Sequence, residues 1–113
     1  MKFSKALKLN HIFRRLYHTT AYANGCLVLY AKKNASCINR VGITVSKKLG
    51  GAVVRNRIRR RLREIYRLNE NRFLSGWDIV VVARSKCIRA DFATLTHAYL
   101  SLADSAGILE AEQ

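Results

Sequence analysis

Two hydrophobic periods meet at Gly50-Gly51, and that junction constrains the fold more than any other stretch of the chain. Before it, Val41, Ile43 and Val45 alternate with Gly42, Thr44 and Ser46. This is the period of a strand with one apolar face and one small, polar face. After it the repeat lengthens. With Val54 at zero and about 100° per residue, Ile58, Leu62, Ile65 and Leu68 fall within an arc of roughly 120°. That is a core-facing stripe on a helix over 52–69.

The flanking segments extend this strand–helix unit into an α+β domain. Asn10 is placed to cap a short helix from His11 to His18, with Phe13 and Tyr17 at i, i+4 and Ile12 and Leu16 likewise. Cys26 to Ala31 is an apolar, β-rich run bounded by Gly25 and Lys32-Lys33-Asn34, which reads as a strand. Trp77 to Arg84 holds the unbroken run Ile79-Val80-Val81-Val82-Ala83, expected for a central strand covered on both faces. Asp91 can cap a last helix carrying Phe92, Leu95, Tyr99 and Leu102 at core spacing, stopped by Gly107. The expected order is α-β-β-α-β-α, a small mixed sheet with packed helices. At 113 residues this is a single domain, 1–113, with 1–9 as a loose basic arm and 106–113 as a tail.

Charge narrows the function. Twenty-one Lys and Arg face seven Asp and Glu, a formal net charge of +14. Self-repulsion of that size opposes a compact state unless a polyanion is the usual partner. No apolar run approaches the roughly 20 residues that span a bilayer, and no apolar segment follows the basic start as a secretory signal requires. No membrane association and a cytoplasmic location are therefore expected. Cys26, Cys37 and Cys87 are odd in number and widely spaced, and His11, His18 and His97 lack ligand spacing. Reduced thiols and no metal site in the protein follow as expectations.

The positive charge is concentrated. Between Lys47 and Arg67 stand nine basic residues and one acid, Glu64. A solvated helix usually mixes signs, because opposite charges at i, i+4 support it; here Arg55, Arg59, Arg63 and Arg67 stack like on like. From Lys48 to Arg84 every further basic residue is arginine. Its guanidinium fork can bond two phosphate oxygens at once, which suits an RNA or DNA backbone. Arg55 and Arg57 flank the apolar stripe, whereas Arg61 lies near it and must snorkel or pair.

The segment Leu49-Gly50-Gly51-Ala52-Val53-Val54-Arg55-Asn56-Arg57-Ile58-Arg59-Arg60-Arg61-Leu62-Arg63 resembles the signature of the bacterial ribonuclease P protein family, with its central Arg-Asn-Arg. Arg40 to Lys48 resembles the preceding strand of that family and Asp78 to Arg84 its last strand, so the likeness covers roughly residues 3–105. It implies a ribosomal-protein-S5-domain-2-like sandwich with a left-handed β-α-β crossover, against the common right-handed rule. It also implies a protein subunit of ribonuclease P that binds the catalytic RNA and the 5′ leader of precursor tRNA, assisting endonucleolytic removal of the leader. By that resemblance Arg55, Asn56, Arg57, Arg59, Arg60 and Arg63 meet the catalytic RNA. Phe13, Tyr17 and Tyr30, with Lys47, Lys48 and Arg84, form the leader-binding cleft. Mg²⁺ would belong to the holoenzyme and be held mainly by RNA, and no obligate protein partner is implied. The family commonly ends its first helix on a glycine, where this chain has Thr20.

The residues weigh against a catalytic role for the chain itself. Metal-assisted phosphodiester hydrolysis wants clustered carboxylates, yet only Glu64 and Glu70 precede Asp78. Aromatics at i, i+4 such as Phe13 and Tyr17 are more often core than ligand-facing, and a strand tyrosine such as Tyr30 can face either way. A ribosomal or other structural RNA-binding protein is the alternative that the same basic α+β plan allows. A DNA-binding module lacks a helix-turn-helix pair to support it.

Overall fold

A computed structural model describes residues 4–6 and 14–110. Strands β1 (Ser4–Ala6), β2 (Ala21–Ala23), β3 (Leu27–Lys33), β4 (Asn39–Thr44) and β5 (Trp77–Ala83) form one sheet in the order β1-β4-β5-β3-β2. β4 and β5 are parallel neighbours, and helix α1 (Ala52–Asn69) connects them. β3 pairs antiparallel with β5, β2 antiparallel with β3, and β1 parallel with β4. Helix α2 (Phe92–Ser105) follows β5, and residues 14–16 are helical. The α+β class and mixed sheet agree with the sequence reading.

Strand parity sorts the side chains onto two faces. Leu27, Leu29, Val41, Ile79, Val81 and Ala83 share one face and meet Ile58, Leu62 and Ile65 of α1 and Leu95, Tyr99 and Leu102 of α2. That is the main core. On the opposite face Val80 is fully buried under Leu16 from the 14–16 turn, with Tyr30 and Val82 beside it. The unbroken apolar run of β5 is thus covered on both sides, by two helices on one and, among the described residues, by the 14–16 turn on the other.

Buried polar groups lock the sheet to α1. The Asn39 amide donates to the Leu74 carbonyl at 2.9 Å and to the Tyr66 hydroxyl at 3.2 Å, while its oxygen accepts from the Trp77 N–H at 2.8 Å. Arg61 resolves its awkward position by donating from Nη1 to the Ala90 carbonyl at 2.9 Å. Asp91 caps α2 as expected, accepting from the Thr94 N–H at 2.7 Å. That bond holds its carboxyl below the usual carboxylate range.

Four expectations change. The arm expected over 1–9 contains β1, whose residues Ser4–Ala6 pair in register with Asn39–Val41. The tail expected from 106 is partly packed: Ile108 is fully buried, and the Leu74 and Glu110 N–H groups donate to the Ile108 and Arg72 carbonyls. β2 was not foreseen; it pairs with Val28–Tyr30. Leu68, placed on the core stripe, is 58% exposed, and Tyr66 is buried instead. α1 presents Ile58, Leu62, Ile65 and Tyr66 to the core, so its buried face is turned toward Tyr66 and away from Leu68.

The turn after 14–16 needs no glycine. Thr19 closes it by donating through both its N–H (3.0 Å) and its hydroxyl (2.6 Å) to the Leu16 carbonyl. Among the described residues no non-glycine residue has positive φ, so Thr20 turns in an ordinary conformation.

Candidate nucleic-acid interface

The chain enters α1 through a 3-10 turn, Lys47–Leu49, capped by the Ser46 hydroxyl, which accepts from the Lys48 N–H at 3.2 Å. Gly50 then takes φ 143°, a value that favours glycine. Lys47 and Lys48 are exposed on this turn. No acid stands in the first turn of α1, and its N-cap Gly51 makes no side-chain bond. The positive end of the helix therefore adds to the surrounding charge.

The arginines on the outer side of α1 divide by what holds them. Arg67 donates from Nε to Glu64 at 2.9 Å, and this pair lowers the glutamate's pKa and raises the arginine's. Arg59 donates to the Asn56 side chain at 3.1 Å, so the asparagine of the Arg-Asn-Arg motif orients a neighbouring guanidinium. Arg55 is half-buried, with its Nε unpaired. Arg57, Arg60 and Arg63 are exposed and make no ion pair among the described residues. All six residues assigned to this surface lie on one helix, and these three arginines are free to meet an anion.

A second surface is the sheet face opposite the main core. Register pairs Tyr30 with Val80, and Val80 with Gly42. Tyr30 therefore belongs to this face, settling the parity that the strand alone left open. Tyr17 stands against Tyr30 edge to face, ring centroids 5.1 Å apart at 85°, and remains 44% exposed. Val28, Val82 and Thr44 continue the floor. Arg84 lies just beyond β5, where its Nη1 donates to the Asn24 carbonyl at 2.9 Å. Lys47 and Lys48 leave β4 at the same end. Tyr17, Tyr30 and Arg84 thus belong to one face, with Lys47 and Lys48 just beyond the same strand ends, whereas Phe13 lies outside the described residues.

Sequence reading missed the floor residues Val28, Val80 and Val82 and the basic group Arg15, Lys32, Lys33 and Arg40. The signal was the parity of β3, in which Val28, Tyr30 and Lys32 share one side. It becomes readable only once β5 fixes which side is open.

Among the described residues no three His, Cys, Asp or Glu side chains gather as a metal would need. Asp78 is engaged by Arg40 and Asn34. The cysteines are free thiols, and burial pushes Cys87 up to about 11. No described helix is long and apolar enough to cross a membrane.

Comparison with known proteins identifies the family. The family model described as Ribonuclease P matches residues 1–107. The ribonuclease P protein component of Alkaliphilus oremlandii is 42% identical over 103 residues, covering 90% of each chain. That of Clostridium botulinum strain Langeland is 40% identical over 108 residues, covering 95% of each. Among solved structures, the Staphylococcus aureus RNase P protein superposes with a TM-score of 0.86 at 31% identity, covering 95% of this chain and 99% of its own. The Thermotoga maritima protein gives 0.79 at 34% identity, covering 87% and 94%. These matches favour the tRNA-processing reading over a ribosomal one. The chain belongs to the ribonuclease P protein family, the protein components of the tRNA-processing endoribonuclease ribonuclease P.

Proposed function

We propose that the two surfaces divide the work of the holoenzyme. The outer side of α1, through Arg55, Asn56, Arg57, Arg59, Arg60 and Arg63, binds the catalytic RNA. The open sheet face binds the single-stranded 5′ leader of precursor tRNA. The observation that carries this reading is the exposed Tyr17 ring set edge-on against Tyr30, on a face with Lys47, Lys48 and Arg84 at one end. Unpaired bases stack on such rings without demanding sequence, while the cations track the backbone. Phe13 joins them on the strength of the family likeness.

In this reading the protein aligns substrate and RNA, and Mg²⁺ is held mainly by RNA, where it supplies charge stabilisation during hydrolysis. Among the described residues the chain's own carboxylates are dispersed: Glu64 is spent on Arg67 and Asp78 on Arg40. The work takes place with the RNA partner in the cytoplasm.

Tyr17→Ala in the reconstituted holoenzyme tests the leader surface. One lost stack is worth about 1–3 kcal/mol, roughly 5- to 150-fold in Kd. Precursor tRNA should weaken by that factor, and mature tRNA, which has no leader, should be unaffected. Equal losses for both RNAs would remove Tyr17 from the leader surface.

A further inference from the structure

Pairing register arranges the open face in rows. Lys32, Asp78 and Arg40 lie side by side across β3, β5 and β4; Tyr30, Val80 and Gly42 come next, then Val28, Val82 and Thr44. Arg84, Lys47 and Lys48 follow where the strands end. The face is basic at both ends and apolar between them. Each row is two residues on, about 6.6 Å, so the basic ends stand roughly 20 Å apart.

The end with Lys32 and Arg40 is a formed pocket. Arg15 from the helical turn, Lys32 and Lys33 from β3, and Arg40 from β4 line a cavity of 180 Å³ with Asp78 in its wall. Asp78 is only 6% exposed, and its oxygens are taken by Arg40 Nε (2.7 Å), Arg40 Nη2 (2.6 Å) and Asn34 Nδ2 (3.0 Å). The carboxylate therefore fixes a guanidinium and leaves an excess of three positive charges around the cavity. The loop at its rim is also built. Asn34 donates to the Ile38 carbonyl and accepts from the Ser36 N–H. Gly76, at φ 87°, lets that loop approach so closely that a Cβ there would meet the Ser36 carbonyl at 2.9 Å.

We propose that this pocket is a second phosphate-binding site, and that its ligand is the backbone of the leader farther from the cleavage point. The inference rests on the leader reading above and adds a direction to it. Lys47 and Lys48 run through Gly50-Gly51 straight into the arginine stretch of α1, so their end adjoins the catalytic RNA. The Arg15–Lys32–Lys33–Arg40 pocket lies at the opposite end, across the Tyr17–Tyr30 step. A short leader stops before it; a long one reaches it.

The test uses holoenzyme reconstituted with ribonuclease P RNA and precursor tRNAs of graded leader length. Binding is measured over a range of salt for wild type, Lys32→Ala/Lys33→Ala and Tyr17→Ala. Arg40→Ala is unsuitable, because it would strand buried Asp78. Wild type should gain affinity again once the leader spans the face. The lysine variant should match wild type on short leaders and lack that second gain. On long leaders its slope of log K against log salt should be shallower by about 1.4, two single-strand phosphate contacts. Lys32→Arg/Lys33→Arg should restore the gain. Equal weakening at every leader length, or an unchanged slope on long leaders, overturns the second site. If Tyr17→Ala also leaves every leader length unaffected, the leader reading itself falls; if Tyr17→Ala weakens binding and the lysine variant does not, only this inference does.

Discussion

Replacing Arg57, Arg60 and Arg63 together by alanine separates RNA binding from folding, because the two should move in opposite directions. All three side chains are exposed and without ion pairs among the described residues. Three lost phosphate contacts, at about 0.7–0.9 each, should flatten the slope of log K against log salt by roughly 2 to 2.7. Over the fourfold rise from about 50 to 200 mM salt, the gap between wild type and variant should therefore close by roughly 20- to 40-fold.

Stability should not fall. Arg57 and Arg60, and Arg60 and Arg63, are like-charged neighbours at i, i+3, each costing a helix about 0.2–0.5 kcal/mol, and alanine is the best helix former. The variant protein should melt at the same temperature as wild type or a few degrees higher. Filter binding to the ribonuclease P RNA across salt, with circular dichroism melting of the protein alone, measures both. An unchanged slope would reduce the arginines to a solvated face. A melting temperature lower by several degrees would mean that they support the fold.

Three further outcomes are expected. Protein freed of RNA by nuclease treatment should not cleave precursor tRNA at any Mg²⁺ concentration; robust 5′ processing by it would end the non-catalytic reading. Cys37 is exposed and Cys87 is buried, its thiol pushed up to about 11, so alkylation at pH 8 should label Cys37 first and Cys87 only on unfolding. The sign follows from burial disfavouring the thiolate: stability from the neutral thiol is full below about pH 9 and is lost as pH climbs toward 11. Equal labelling rates would refute that burial. Asn39→Ala should cost at least about 2–3 kcal/mol in urea unfolding, since it unpairs the Trp77 N–H and the Leu74 carbonyl at once, and a loss below 1 kcal/mol would show that these groups find other partners.

What was legible in the sequence is what local chemistry determines. The alternation from Val41 to Val45 and the Ile58–Leu62–Ile65 stripe carry their own period, and Asp91 its own cap, so each element formed where expected. β1 and β2 are three residues each, too short for any period to show. They become strands because β4 and β3 offer edges to pair with, a long-range fact. Leu68 continues the helical stripe in sequence, but the buried face of α1 is centred closer to Tyr66 and leaves it exposed. The same division holds at the site. Crowded arginines announce a polyanion partner by themselves, whereas the face to which Tyr30 belongs depended on its register with Val80, fifty residues away.

Charge is distributed along the chain in a way that suits the two proposed surfaces. Every Lys and Arg lies at or before Arg89; residues 90–113 hold four of the seven acids and no Lys or Arg. α2 carries Asp104 in that stretch and is capped by Asp91, and it covers the half of the main core face formed by β2 and β3. α1 covers the β4 half of the same face and turns its arginines outward. A polyanion approaching from the α2 side meets acids and no cation on that helix, and one approaching α1 or the open sheet face meets concentrated positive charge. Since the potential of such a small domain steers encounter before any contact forms, the segregation would orient the protein on RNA in the proposed reading. α1 and the Tyr17–Tyr30 face lie on opposite sides of the sheet, so in the proposed reading each would meet its own RNA, the catalytic RNA on one side and its substrate on the other.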